Sequence, residues 1–322
     1  MDNDYKIIAN NFKLPKTIFA PMAGITDVVL RSIVRSYSPN TLLTTEMISA
    51  EALCNKPDVK ISEVVENEAP IFCQLVGHKV EKMSKASKIL APKCQGIDIN
   101  MGCPVKKVTS GGDGSALMLN TSLAYDIVQA VKEAVELPVS VKFRLGFTKE
   151  QENFIEFGQL MEKAGADFIT IHGRYRSQMY SGSSNWEKIG ELVKCVSIPV
   201  FANGDILSFE DTKKCLMTTN AYGVSIGRGV LYDVSLLSRI ENNDKNVMSF
   251  QNKIKVLKDY IKKECDYRKE EVAIKFMRKF YPFFINNLKN ASKYRLALMS
   301  EETLDGVNKI LDEILAIHLL EV

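Results

Sequence analysis

The sequence has no run approaching the ~18 uninterrupted apolar residues that a bilayer-crossing helix needs, and its start, MDNDYKIIANNF, lacks the basic flank and apolar stretch of a secretory signal. Both absences lead to the expectation of a cytoplasmic protein with no membrane partner. A C-x-x-C pair is also missing, and the seven cysteines, at 54, 73, 94, 103, 195, 215 and 265, are odd in number and scattered. That argues against a zinc site or a disulfide framework and for free thiols, small buried hydrophobes at the six positions other than 103, with no metal. No G-x-G-x-x-G opens a helix after a strand, so an open doubly wound sheet has no dinucleotide fingerprint to start from.

What is present is alternation. A composition of 46% hydrophobic and 25% charged residues is that of a folded globular chain, and 322 residues allow one large domain with an appendage. Eight β-like runs, at 18–24, 42–48, 69–77, 96–102, 139–146, 168–174, 199–206 and 222–229, are separated by helix-like stretches. One is 121–136, where Thr121 or Ser122 can cap and Leu123, Ile127, Val131 and Val135 repeat every fourth position. Eight strands with crossover helices predict a (β/α)8 TIM barrel over 1–240. From 241 the β alternation stops, ENNDKN (241–246) reads as a linker, and helical periodicity alone predicts a smaller all-helical domain over 241–322.

Strand polarity predicts where the chemistry lies. In VSVKFRLG, Val139, Val141, Phe143 and Leu145 share one face and Ser140, Lys142 and Arg144 the other. The same alternation sets Gln74, Asn100 and His172 opposite their apolar neighbours, late in their strands. A barrel gathers such side chains at the C-terminal rim of its strands. Gln74, Asn100, Cys103, Lys142, His172, Asn203 and Arg228 should meet there. The loops NGD (203–205) and GRG (227–229) follow the seventh and eighth strands, where barrels hold phosphates. Lys142 adds positive charge suited to an anionic ring system; a structural ion pair with Asp98 or Asp205 is the alternative. Pro104 cannot extend the ladder and pushes Cys103 into an extended conformation at the rim.

The segments APMAGITD (20–27), QLVG (74–77), INMGCPVKKV (99–108), VKFRLG (141–146), IHGR (171–174), NGDI (203–206) and IGRG (226–229), in this order, resemble the flavin-dependent tRNA-dihydrouridine synthases, most closely the bacterial B-type branch. The resemblance implies FMN at the barrel mouth, hydride from NADPH or NADH, and reduction of the C5=C6 bond of a uridine in tRNA. It places Pro21, Met22, Ala23, Gln74, Lys142 and His172 against the flavin, the last two as a basic pair. Asn203, Gly204, Asp205, Gly227 and Arg228 fall to its phosphate side. Cys103 matches the active-site cysteine, and Asn100 the position beside the substrate uracil. Hydride delivered to C6 leaves negative charge that a proton at C5 must quench. A thiol, with an ordinary pKa near ~8.5, carries that proton at neutral pH.

Substrate contacts are expected from Arg144, Arg174 and Tyr180, the last two in a stretch where charge and aromatic surface alternate. The glycine-rich loop after Cys103, with Lys106 and Lys107, is expected to be mobile over the site. Between 253 and 295, thirteen Lys or Arg face five Asp or Glu, a balance of +8 in a chain whose total is +3. Such asymmetry suits RNA, with Lys275, Arg278 and Lys279 as phosphate contacts and the interleaved aromatics as core. An FMN barrel acting on a free pyrimidine would not need that tail, and an RNA-binding protein without catalysis would not need Cys103, Lys142 and the phosphate loops. The oligomeric state is not legible; a monomer is the expectation.

Overall fold

The structure, a computed structural model, describes residues 5–57, 60 and 63–321. A small antiparallel hairpin, β1 (Lys6–Ile8) and β2 (Phe12–Leu14), precedes a closed barrel of eight parallel strands. These are β3 (Thr17–Phe19), β4 (Leu42–Ser49), β5 (Ile71–Val76), β6 (Gly96–Met101), β7 (Val139–Arg144), β8 (Phe168–His172), β9 (Val200–Asn203) and β10 (Gly223–Ile226), with β10 closing on β3. Each overlaps one of the eight runs expected from the alternation, β3 only at residues 18 and 19, because residues 20–24 leave the strand for the rim.

The two ends of the barrel differ in chemistry. At the N-terminal end Leu14, Ile18, Leu42, Phe72, Phe168 and Phe201 form a dry plug, under which Phe12 and Tyr222 pack. Adjacent rings lie 5.3 to 5.6 Å apart, the spacing of tilted aromatic pairs. Gly96 makes the plug possible, because a Cβ there would stand 2.1 Å from the Phe72 ring. Above the plug the inward positions turn polar. The outward residues Val139, Val141, Phe143 and Leu145 pack in the apolar layer shared with the helices, as read from the alternation.

Helix Thr121–Ala134 forms as expected, but its cap is Asn120, whose side chain accepts the Leu123 N–H at 3.3 Å. Asn120 stands one residue before Thr121, the position from which a side chain reaches the third helical N–H. The stretch after residue 240 is not a free linker. Glu241 ends the helix Leu236–Glu241 and accepts hydrogen bonds from Thr17 and Thr41 at 2.5 and 2.6 Å, and Arg239 donates to the Lys245 carbonyl at 2.9 Å. Beyond it stand helices Phe250–Tyr267, Glu270–Met277, Tyr281–Phe284, Ala291–Ser300 and Leu304–Glu321. Ile254, Leu257, Tyr260 and Ile261 pack into the same apolar cluster as Val28, Leu30 and Ile33 of the barrel's first helix, and Arg268 pairs with Asp27 across the junction.

Cys73, Cys94 and Cys215 are buried, Cys54 and Cys265 half-buried, and Cys195 is exposed rather than buried, because it lies in a surface turn after the helix Trp186–Val193. Among the described residues no helix is long and apolar enough to cross a membrane.

Candidate active site

Strand register brings the polar residues together at the C-terminal rim: Gln74 aligns with Asp98, Asn100 with Lys142, Arg144 with His172, and Asn203 with both His172 and Ser225. Above them opens a cavity of about 480 Å³, within the range of small-molecule sites. Its wall includes Cys103 and Asn100, the residues Pro21, Met22, Ala23, Gln74, Lys142 and His172 expected to face a flavin, the loop residues Asn203, Gly204, Asp205, Gly227 and Arg228, and Arg144 and Tyr180.

On one side of the cavity the thiol is mounted on hydrogen bonds. Asn100 Oδ1 accepts the Cys103 N–H at 2.9 Å and the Gly102 N–H at 3.2 Å, and the Cys103 carbonyl accepts from the Ser115 N–H at 3.2 Å and its hydroxyl at 2.9 Å. Asn100 Nδ2 donates to Gln74 Oε1 at 2.9 Å, and Gln74 Nε2 to Asp98 Oδ2 at 2.6 Å. Both amides, expected to face flavin and uracil, line the cavity while also bonding inside the protein, and each keeps one N–H beyond these bonds. The loop after Cys103 is built rather than slack. Residues Lys106–Thr109 and Gly114–Leu119 are helical turns, Arg176 donates to the Pro104 carbonyl at 3.1 Å, and His78 pairs with Asp113 at 2.8 Å. Lys106 and Lys107 remain exposed.

The other side is cationic. Lys142 donates to Asn203 Oδ1 at 3.2 Å; burial first, then Arg144, lowers its pKa to about 8, so it remains mainly protonated at neutral pH. It is thus not a plain ion pair with either candidate carboxylate. Arg144 holds the carbonyls of Gly102, Tyr175 and Met179 at 2.9 to 3.1 Å. His172 does not complete a basic pair. Burial, and then the charges of Arg144, Lys142, Arg174 and Arg228, push its pKa well below the usual range. Its Nε2 lies 3.2 Å from Arg174 Nη1, which can only donate, so the neutral ring carries its proton on Nδ1.

Arg174 is not placed to meet RNA. At 2% exposure it is locked by Asp205 at 2.6 Å and by the carbonyls of Ser181 and Gly182 at 3.1 and 2.6 Å. It stands two residues beyond the end of β8 and turns back onto the carbonyls of its own loop and onto Asp205. Asp205 also takes Arg228 at 3.2 Å and the Ser184 N–H at 2.8 Å. Gly204, with φ +116°, allows this packing, since a Cβ would meet Ser184 Oγ at 2.5 Å and His172 at 2.8 Å. Tyr180 stands 57% exposed at the mouth, its ring 5.7 Å from the Arg144 guanidinium and 5.8 Å from that of Arg228.

The helical region reaches the mouth through Phe283, which lines the cavity and packs on Tyr232 with ring centroids 5.1 Å apart. Its cations are partly committed. Lys279 donates to the Gly24 carbonyl beside Pro21, Met22 and Ala23 and lies over the Phe276 ring, and Arg278 donates to the Glu301 carbonyl at 3.2 Å; Lys275 is exposed. The −5 that balances residues 253–295 falls in 296–322, where six acidic residues face Lys309, and Asp312 there pairs with Lys258 at 2.6 Å. The sequence reading missed Phe283, Ser225, Ser184 and Trp186, whose indole N–H holds the Gly204 carbonyl at 3.0 Å. Inward register could have found Ser225; the others lie on helices or loops without a period to follow.

The dihydrouridine synthase (Dus) family model matches residues 18–318. The chain belongs to the dihydrouridine synthase family. A probable tRNA-dihydrouridine synthase of Rickettsia conorii is 34% identical over 292 residues, 87% of each protein. A probable tRNA-dihydrouridine synthase 1 of Synechocystis is 41% identical over 70% of this chain, which spans 64% of that relative. tRNA-dihydrouridine synthase B of Pseudomonas putida is 37% identical over 66% of this chain and 63% of its own. Among solved structures, an old yellow enzyme homologue from Zymomonas mobilis shares the barrel fold, with a TM-score of 0.54 at 14% identity, over 76% of this chain and 93% of that one. The dihydrouridine synthase assignment makes this chain an oxidoreductase of the barrel class.

Proposed function

We propose that this dihydrouridine synthase reduces the C5=C6 bond of a uridine in tRNA, with FMN at the barrel mouth, NADPH as reductant and Cys103 as proton donor. The observation that carries the reading is one cavity lined both by a thiol and by a cationic, glycine-bearing edge. The cavity fits a flavin on three counts. Its volume of about 480 Å³ suits a ligand of that size. Ser225 Oγ is buried in its wall without a partner. Gly227 leaves a cradle that a Cβ would crowd, 3.0 Å from Met22 Sδ.

In this reading Pro21, Met22, Ala23, Gln74, Lys142 and His172 hold the ring system, and Asn203, Gly204, Asp205, Gly227 and Arg228 the phosphate end. Bound FMN would supply hydride, received from NADPH, to C6 of the base. The Lys142 ammonium stabilises the negative charge that then develops on the base. Cys103 Sγ gives its proton to C5 and recovers one from solvent. Asn100 and Arg144, flanking the thiol, orient the base once it has left its stack, and Tyr180 offers a ring at the entrance. Residues 241–322 grip the RNA, with Lys275 as the exposed phosphate contact. Family membership favours this reading over a free-pyrimidine reductase or a silent RNA-binding barrel.

The test is an absorbance spectrum of the purified protein, then NADPH-driven dihydrouridine formation on unmodified tRNA. Flavin bands are expected, with product formation falling about 10²–10⁴-fold in Cys103→Ala while the flavin still bleaches with NADPH. A colourless protein that takes up no added FMN would sink the oxidoreductase mechanism, and full activity in Cys103→Ala would remove the thiol from it.

A further inference from the structure

Inside the rim runs a chain of hydrogen-bonding side chains whose two ends permit one polarity. At its lower end the buried Asp98 accepts from Ser140 Oγ and Gln74 Nε2, both at 2.6 Å. At its upper end the N–H groups of Gly102 and Cys103 reach Asn100 Oδ1 at 3.2 and 2.9 Å. An ionised carboxylate only accepts and a backbone N–H only donates. Gln74 must therefore turn its NH₂ toward Asp98 and its carbonyl away, and Asn100 its NH₂ toward Gln74 and its carbonyl toward Cys103. The middle bond, Asn100 Nδ2 to Gln74 Oε1 at 2.9 Å, satisfies both demands. Gln74 and Asn100 are 1% and 8% exposed, so a reversed amide would leave a buried donor facing a donor, without water to relieve it.

We propose that Asp98 is a positioning residue for the reaction: its carboxylate orients the amides of Gln74 and Asn100 and so holds the backbone of Cys103 at the cavity wall. Asp98 does not itself line that cavity. Burial raises its pKa to about 6, opposed by the bonds from Ser140 and Gln74 and the charge of Lys142, which leaves it mainly ionised at neutral pH. Replacing it by an amide of the same shape removes the constraint. Asn at 98 can turn either its carbonyl or its NH₂ toward Gln74, so the lower end no longer fixes the polarity, the charge-assisted bonds to Ser140 and Gln74 are lost, and only the N–H groups of Gly102 and Cys103 then orient Asn100.

The inference rests on Cys103 acting as the acid, so its test has a readout of its own: the rate at which iodoacetamide alkylates Cys103 in the full-length protein, followed on the Cys103 peptide by mass spectrometry. Loosening of the two backbone hydrogen bonds to Asn100 in Asp98→Asn is expected to speed alkylation about tenfold. Product formation should fall while NADPH still reduces the flavin. Adding Gln74→Glu to Asp98→Asn should return alkylation toward the native rate, because a carboxylate at 74 accepts from both amides. Gln74→Met, which cuts the chain at its middle link, should give the same rise as Asp98→Asn and stands in for it if that variant does not fold. Native alkylation rates in either folded single variant, or a double variant as fast as Asp98→Asn, would overturn the proposal. Failure of the acid assignment shows elsewhere, as activity retained in Cys103→Ala.

Discussion

Two regions of this chain carry positive charge, and they use it in opposite ways. At the barrel rim Lys142, Arg144 and Arg174 are wholly or partly buried and each has named partners. In the helical region Lys275 and Lys293 are exposed and have no carboxylate partner among the described residues. Between the extremes stand Lys279 and Arg268, which tie the helices to Gly24 and Asp27 of the barrel. The difference is one of backbone geometry. A strand of period two commits every second side chain to the interior, so a cation there must be satisfied by the fold. A helix surface offers no such compulsion, and the same residue type can dock, pair or stay in solvent.

Arg174 and Lys275 are the residues on which this contrast can be broken. Arg174→Met leaves Asp205 with Arg228 and the Ser184 N–H but removes its buried partner, so a loss of about 3 kcal/mol is expected, the low end for a broken buried pair because Asp205 is partly solvated. Thermal unfolding should show it as a fall of several degrees, with weaker flavin retention and an unchanged salt dependence of tRNA binding. An unaltered melting temperature with a shallower salt dependence would make Arg174 an RNA contact after all. Lys275→Gln and Lys293→Gln should do the reverse, with stability within about 0.5 kcal/mol of native and the slope of log K against log salt shallower by roughly 0.7 per lysine that meets a phosphate. A slope that does not move in either would place the RNA elsewhere.

The same geometry explains what could be read in the sequence. The barrel and the residues gathered at its rim were legible because alternation states which way Lys142, His172 and Gln74 point, and strand ends state how high they sit. What alternation does not state is what an inward side chain will bond. His172 therefore looked basic, although burial and then four neighbouring cations push its pKa down, and Gln74 and Asn100 looked like ligand readers only, although they line the cavity while also bonding Asp98, each other and the Cys103 backbone. The charge run of 253–295 was legible as charge only. Its partners Asp27 and Asp312 lie 241 and 54 residues away from the cations they neutralise, beyond any local pattern.

The contrast of buried and exposed partners recurs on the loop of Cys103, where it yields the smallest effect. Glycines after Cys103 suggested a free flap, yet the loop is held from below by the Asp98 chain and from outside by His78 on Asp113. Gly112 turns the loop beside His78 at φ +91°, a backbone conformation that residues with a side chain rarely adopt. The side chains of this outer pair are 40% and 29% exposed, so water competes for both partners and the clasp is weak. His78→Ala is accordingly expected to speed Cys103 alkylation only about twofold, against the tenfold rise from cutting the buried chain, and to leave the melting temperature in place. If His78→Ala instead matched or exceeded Asp98→Asn, the loop would be governed from its exposed side, and burial would no longer explain which contacts hold the thiol.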